Sequence, residues 1–191
     1  MSKSLTICST AHYESIHDRI FIDSMLNQTN QNFKAIILHN GPNDEMRQYV
    51  EGKAANIIYH ESKVDSGMYG CKNRQWAIDH CDTDYILQTS IQDYYLPEAI
   101  EYIQKMLDQE PDCALWNSIN HLTSPCTILQ CELAWSKIDW GNFAIKTPIA
   151  KRIGINHGEQ YCADYLFIKG CMDVGLFKKI LKSSGILTIH N

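Results

Sequence analysis

Phe33-Lys34-Ala35-Ile36-Ile37-Leu38, closed by Asn40-Gly41-Pro42, is the stretch whose reading decides the fold. A short, nearly unbroken apolar run bounded by turn residues reads as a strand buried on both faces. A strand with one wet face would alternate instead. A strand covered twice needs helices above and below the sheet. The flanking sequence supplies them. Upstream, residues 13–27 carry Ile16, Ile20, Ile22, Met25 and Leu26, consistent with a helix. Downstream, Asn43 or Asp44 can cap a second helix running to about Glu51.

Working outward, the same alternation continues. Leu5-Thr6-Ile7-Cys8 precedes the first helix as a strand, and Asn56-Ile57-Ile58-Tyr59 follows the second. Residues 67–81 read as a helix after a glycine-bearing approach, and Tyr85-Ile86-Leu87 as the next strand. Pro97 suits a helix start, Ile100, Ile103, Met106 and Leu107 share one face, and Pro111 stops it before the strand Cys113-Ala114-Leu115-Trp116. This order argues for a mainly parallel sheet flanked by helices. Beyond it the pattern loosens: strands at 127–135, 142–145 and 185–189, helices at 147–153 and from 162 onward. A mixed α/β sheet with an antiparallel part fits. The length of 191 residues suits one domain.

Composition narrows the function. Hydrophobic residues make up 45% and charged residues 20%, so the chain is globular rather than disordered. Net charge is -5 with no Lys/Arg run, which disfavours a nucleic-acid partner. No apolar stretch is long enough to cross a bilayer, and residues 1–7 lack a signal-peptide pattern, so a cytoplasmic location is expected. Peripheral contact with a membrane-bound acceptor stays open. The eight cysteines include no C-x-x-C pair, and several lie in apolar strand-like runs, where they read as buried reduced thiols.

In an open α/β sheet, ligands bind beyond the carboxyl ends of the strands. That rule puts residues 9–11, 39–41 and 89–93 on one rim.

At this rim the sequence resembles family 2 glycosyltransferases of the GT-A fold. Leu26-Asn27-Gln28-Thr29, Asn32-Phe33, the strand, and then Asn40-Gly41-Pro42-Asn43-Asp44 follow the family's L-N-Q-T, N-F and D-x-G-S pieces in order. Gly67-Met68-Tyr69-Gly70-Cys71-Lys72-Asn73 is similar to its G-x-x-x-A-R-N segment. Residues 85–97 resemble the strand that delivers the D-x-D motif. The resemblance spans residues 5–190. It implies a single GT-A domain over 1–191, with a nucleotide-binding half at 1–117 and an acceptor-side half at 118–191.

The resemblance also implies roles. Ser9, Thr10, Ala11, His39, Asn40, Asp65, Lys72, Gln92 and Asp93 would meet the nucleotide-sugar donor. Asn40, with a donor and an acceptor, can read a base edge where the family has Asp. Lys72 stands in for Arg as a point charge near a phosphate. Ser90-Ile91-Gln92 replaces D-x-D, so Asp93 is the remaining carboxylate of that motif. With His190 it would hold Mn2+ or Mg2+, completed by donor phosphates. Asp139-Trp140-Gly141 would face the acceptor. Asp164, or else Glu159, would be the base that takes the acceptor hydroxyl proton. The expected activity is inverting transfer of a sugar from a UDP- or GDP-linked donor to a hydroxyl of a glycan or related acceptor. The competing reading is a non-catalytic nucleotide- or sugar-binding module with a degraded metal motif.

Overall fold

The computed structural model describes residues 2–11, 16–63, 69–121, 125–158 and 160–190. Among them, nine strands form one sheet: β1 (Leu5–Ala11), β2 (Lys34–Asn40), β3 (Ile57–Ser62), β4 (Tyr85–Ser90), β5 (Tyr94–Tyr95), β6 (Cys113–Asn120), β7 (Thr127–Leu129), β8 (Phe143–Lys146) and β9 (Ile180–His190). The helices are α1 (Ile16–Leu26), α2 (Asp44–Val50), α3 (Cys71–His80), α4 (Ala99–Leu107), α5 (Thr147–Ile153) and α6 (Ala163–Asp173).

The strand order is β3-β2-β1-β4-β8-β6-β9-β5, with β7 also on β6. The first four strands pair in parallel. β8 is antiparallel to both β4 and β6, so β6 runs the same way as β4, and β9 is parallel to β6. Six strands therefore share one direction, and β5, β7 and β8 oppose it. The sheet is mixed and mainly parallel, as the alternation of elements implied.

The decisive strand is covered on both faces. Ile37, with Ile7 and Leu87, packs into a layer holding Phe21, Met25, Val50 and Ile103 from α1, α2 and α4. Ile36 and Leu38, with Cys8 and Ile86, pack against Ala77, Ala150 and Phe167 from α3, α5 and α6. Alternate side chains of one strand thus serve two cores, which is why the run is continuously apolar.

Gln28 explains part of the Leu26-to-Thr29 motif. Its buried amide nitrogen donates to the carbonyls of Ser24 and Leu96, both at 2.9 Å, and its oxygen accepts from the N–H of Ile100 at 3.0 Å. The Thr29 N–H donates to the Pro97 carbonyl at 2.9 Å. One side chain therefore ties the end of α1 to the start of α4, satisfying backbone groups that helix ends leave open. Asn43 is the cap of α2, its side chain accepting from the Met46 N–H at 2.8 Å.

Several elements depart from the sequence reading. The strand expected at 127–135 ends at Leu129. There the Cys131 N–H turns to the Asn117 side-chain oxygen at 3.0 Å, and the Glu132 N–H to the Lys137 carbonyl at 2.8 Å, so the ladder stops and a loop begins. β9 starts at Ile180 rather than Gly185, and its polar Lys182, Ser183 and Ser184 concealed it. β5, only two residues, pairs with Thr188 and Ile189. The helix read from residue 67 is described from Cys71, after Gly70 at φ +68.

None of the eight cysteines forms a disulfide. Cys8, Cys71, Cys81, Cys113, Cys131 and Cys171 are buried, Cys162 is half-buried and Cys126 is exposed. Burial pushes the Cys8, Cys131 and Cys171 thiols up to about 12. No helix among the described residues is long and apolar enough to cross a membrane.

Candidate active site

From β1 the chain builds β2 and β3 on one side, then returns to lay β4 on the other. This reversal opens a crevice at the carboxyl ends of β1 and β4. Thr10 there pairs with Ser90, and the Ile91 N–H donates to the Thr10 carbonyl at 3.3 Å. Ser9, Thr10 and Ala11 are all buried at this edge. Next to them, His39 is fixed by the loop that follows β2. Its Nδ1 lies 3.0 Å from the Gly41 carbonyl, and its Nε2 3.3 Å from the Asn43 amide nitrogen. The Gly41 carbonyl can only accept, so Nδ1 is the donor in the first contact. The ring stacks on Tyr59, and Asn40 ends the strand half-buried. Lys72, second residue of α3, is exposed, as is Gln92. Asp65 and Glu159 lie outside the described residues.

Asp93 is 1% exposed and is the centre of a polar network. One carboxylate oxygen accepts from the Thr89 hydroxyl at 2.5 Å and from the Ser90 N–H at 2.9 Å. The other accepts from His190 Nδ1 at 2.6 Å. β9 runs in the direction of β4, so its last residues reach the same rim, although they are far away in sequence. β8 runs oppositely, so the turn before it also arrives there. That turn, Trp140–Asn142, is capped by Asp139, whose oxygen accepts from the Gly141 N–H at 2.9 Å. The Gly141 carbonyl accepts from the Trp116 indole at 3.0 Å and the Tyr95 hydroxyl at 3.4 Å. A Cβ on Gly141 would sit 2.8 Å from the Asp93 carboxylate, so this close approach requires glycine.

Asp93, Asp139 and His190 each place a ligand atom within 4.8 Å of the others. The hydrogen bond to Asp93, then the charges of Asp93, Asp139 and Asp164, push the His190 imidazole up to about 9 against its burial. It is therefore a cation inside an acidic cluster at neutral pH. Burial and the Asp93 charge together push the Asp139 carboxyl up. Two carboxylate oxygens and an imidazole suit Mn2+ or Mg2+, and such an ion would relieve the same repulsion that the imidazolium relieves now. Beneath the cluster, the buried Arg74 donates to the Thr89 carbonyl at 3.0 Å, and its charge favours the ionised forms of Asp139 and Asp164.

A cavity of about 270 Å3 opens beside this cluster, lined among others by Asp139, His190, Asp164, Trp135, Tyr161 and Tyr165. Asp164 is in the first turn of α6. Burial, then the charge of Asp139, pushes its carboxyl up to about 7. A carboxyl in that range exchanges a proton readily near neutrality.

The structure thus brings Asp93, Asp139, Gly141, Asp164 and His190 together, with Ser9, Thr10 and Ala11 at the adjoining strand ends. Trp140 departs from the expectation of an open sugar-facing ring. It is 7% exposed, packed on Phe143 and Phe167, with the Arg74 guanidinium 5.0 Å from its ring centre. The exposed aromatics in the cavity lining are Trp135 and Tyr161. Sequence reasoning missed these, along with Tyr95 and Tyr165. Tyr161 and Tyr165 flank Asp164 at one-turn spacing, which is the signal that was available.

The profile of the family described as Glycosyl transferase family 2 matches residues 19–148. No curated protein sequence matches the chain. Among solved structures, S. aureus TarS 1-349 superposes with a TM-score of 0.81 at 15% identity, over 98% of this chain and 60% of that one. TarS 1-349 in complex with UDP-GlcNAc gives 0.76 at 16% identity, over 99% and 58%. GalNAc-T7 with UDP, GalNAc and Mn2+ gives 0.75 at 9% identity, over 99% and 44%. The chain spans 60% or less of these proteins, and at such identities the likeness is one of fold.

Proposed function

The chain belongs to glycosyl transferase family 2, and we propose that it works as an inverting glycosyltransferase. It moves a sugar from a UDP- or GDP-linked donor to a hydroxyl of a glycan or related acceptor. The observation that carries this reading is the meeting of two sites. Of the Asp93, Asp139 and His190 cluster at the carboxyl ends of the strands, Asp139 and His190 line one cavity with Asp164.

In this reading residues 1–117 hold the nucleotide, through the edge formed by Ser9, Thr10, Ala11, His39 and Asn40, with Asp65 and Gln92 contributing. Residues 118–191 hold the acceptor. Asp164 takes the proton from the acceptor hydroxyl as that oxygen bonds to the anomeric carbon. The bond from that carbon to the nucleoside diphosphate breaks, and the diphosphate leaves with the electron pair. A single displacement inverts the anomeric centre. Glu159 is the alternative base. Lys72 offers positive charge to the diphosphate. Asp93, Asp139 and His190 would hold Mn2+ or Mg2+, and the ion would supply Lewis-acid charge to the leaving group. UDP and UDP-GlcNAc bound to TarS, and UDP with Mn2+ bound to GalNAc-T7, support this choice of ligands. Eight cysteines with no disulfide among them suit a cytoplasmic location.

A thermal-shift panel of UDP-, GDP- and dTDP-sugars, with and without Mn2+, tests the donor class, because a ligand that binds only the folded state raises its stability. Product formation from the donor that scores then tests catalysis. Calorimetry should show Mn2+ and donor raising each other's affinity by one common factor, and Asp93→Ala should remove that coupling. Donor affinity and turnover unchanged by EDTA would eliminate the ion. No shift with any nucleotide sugar would remove the reading itself.

A further inference from the structure

We propose that the acceptor is an uncharged sugar whose ring lies with its C–H face against Trp135 and an edge against Tyr165, in the cavity that holds Asp164. This deepens the glycosyltransferase reading and rests on it.

Trp135 is 57% exposed and Tyr161 86% exposed. Single exposed aromatics are common on protein surfaces and by themselves mean little. These two share a cavity with Tyr165, Asp139, Asp164 and His190. Trp135 and Tyr165 also fix one another, in an edge-to-face pair with centres 5.3 Å apart and planes at 85°. One rigid ring set at right angles to another makes a corner rather than a flat patch. Sugars present one apolar face of C–H groups and an edge of hydroxyls. An indole or phenol offers the matching apolar surface at small entropic cost, since few torsions must be fixed. The volume of about 270 Å3 falls just below the range of roughly 300–1,000 Å3 usual for small-molecule pockets. That is room for one ring and its substituents.

The charge of the lining selects further. Asp139 and Asp164 supply two carboxyl groups, and no Lys or Arg is among the described lining residues. His190, also in the lining, is turned to Asp93, its Nδ1 2.6 Å from that carboxylate. An acceptor carrying phosphate or carboxylate would meet like charge with no guanidinium or ammonium to pair it. Such juxtapositions act strongly against a ligand. A neutral sugar has no such conflict, and its hydroxyls can bond to the polar side chains of Ser118 and Asn120, which also line the cavity.

Saturation-transfer NMR on the full chain tests this, with Mn2+ and UDP or GDP, whichever binds, at saturating concentration. The probes are methyl β-glucopyranoside and methyl β-galactopyranoside, against glucose 6-phosphate and galactose 6-phosphate. The expected result is binding of at least one neutral glycoside, with both phosphates weaker. Trp135→Ala and Tyr165→Ala should each weaken it roughly three- to tenfold, while Trp135→Phe keeps most of it. Nucleotide affinity should be unchanged in all three. Phosphorylated sugars binding as well or better, or alanine variants matching the parent, would overturn the proposal. If the nucleotide binds and neither glycoside does, the acceptor assignment fails alone. If neither UDP nor GDP binds, the glycosyltransferase reading fails and this proposal falls with it.

Discussion

Residues 2–117 and residues 118–190 assemble the same sheet by different means. In the first region each large strand is followed by a helix, and β1, β2 and β3 lie side by side in parallel register. In the second, β8 inserts between β4 and β6, and β9 comes back to pair along β6 with irregular register at Asn117. Polar side chains do the joining. Asn117 accepts from the Cys131 N–H and donates to the Ser184 carbonyl, both at 3.0 Å, and Asn142 donates to the Trp116 carbonyl at 3.0 Å. The first region is specified by apolar periodicity, the second by a few long-range hydrogen bonds. Damage confined to one should therefore leave the other's ligand in place.

The sharpest test of that separation is Asp164→Asn. Turnover should fall about 10²–10⁴-fold, with nucleotide affinity by calorimetry unchanged, since the base acts on the acceptor. Parent-like turnover would shift the base to Glu159 or Asp139. A pH profile adds a second reading. The base works deprotonated, and burial with the Asp139 charge holds Asp164 up to about 7. Turnover of the parent should climb as pH rises through about 7, losing about tenfold per unit below it. The sign for stability is opposite. A carboxyl whose folded pKa is raised stabilises the fold while protonated, and that contribution is lost as pH rises from the free-Asp range through about 7. Asp164→Asn should flatten this decline, measured as melting temperature against pH.

Gly141→Ala attacks the seam between the regions. The added methyl carbon would lie 2.8 Å from the buried Asp93 carboxylate and 3.3 Å from the Thr89 hydroxyl. Overpacking of this kind costs about 3 kcal/mol, and denaturant titration should show it. Coupling between Mn2+ and nucleotide should weaken as well. Full retention of both would mean that the turn yields freely.

Gln28→Ala confines the damage to the first region. It leaves the Ile100 N–H and the Ser24 and Leu96 carbonyls short of partners, a loss of about 2 kcal/mol. Turnover per folded molecule should hold. The smallest effect belongs to Lys72→Ala. An exposed point charge should weaken nucleotide binding about two- to fivefold, equally with and without metal. A larger loss confined to the metal-free protein would show that Lys72 and the ion substitute for one another.

This contrast also explains what the sequence disclosed. The strand at 33–38 was legible because two cores impose apolar residues at each of Ala35, Ile36, Ile37 and Leu38. Asp93 and His190 were legible through motif position, although their hydrogen bond joins residues at opposite ends of the chain. Trp140 was misjudged for a physical reason: aromatic residues beside a glycine turn suit either a sugar or a core, and only the packing of Phe143 and Phe167 decides. Trp135 was hidden inside an apparent strand, because nothing local announces that Asn117 captures the Cys131 N–H and ends the ladder. Arg74 was visible only as a neighbour of Lys72. Its burial beneath Thr89 comes from the approach of α3 to β4.

The thiols supply a clock. A maleimide or iodoacetamide added to the folded chain meets Cys126 at once and Cys162 more slowly, while the six buried sulfurs stay out of reach. The mass spectrum should therefore plateau at two adducts. A third can appear only when the sheet opens, so its rate of arrival counts opening events without any denaturant. Cys162 adds a local dial, because it lines the cavity with Trp135 and Asp164. Any molecule seated there should slow the second adduct and leave the first untouched, turning an incidental cysteine into a gauge of occupancy.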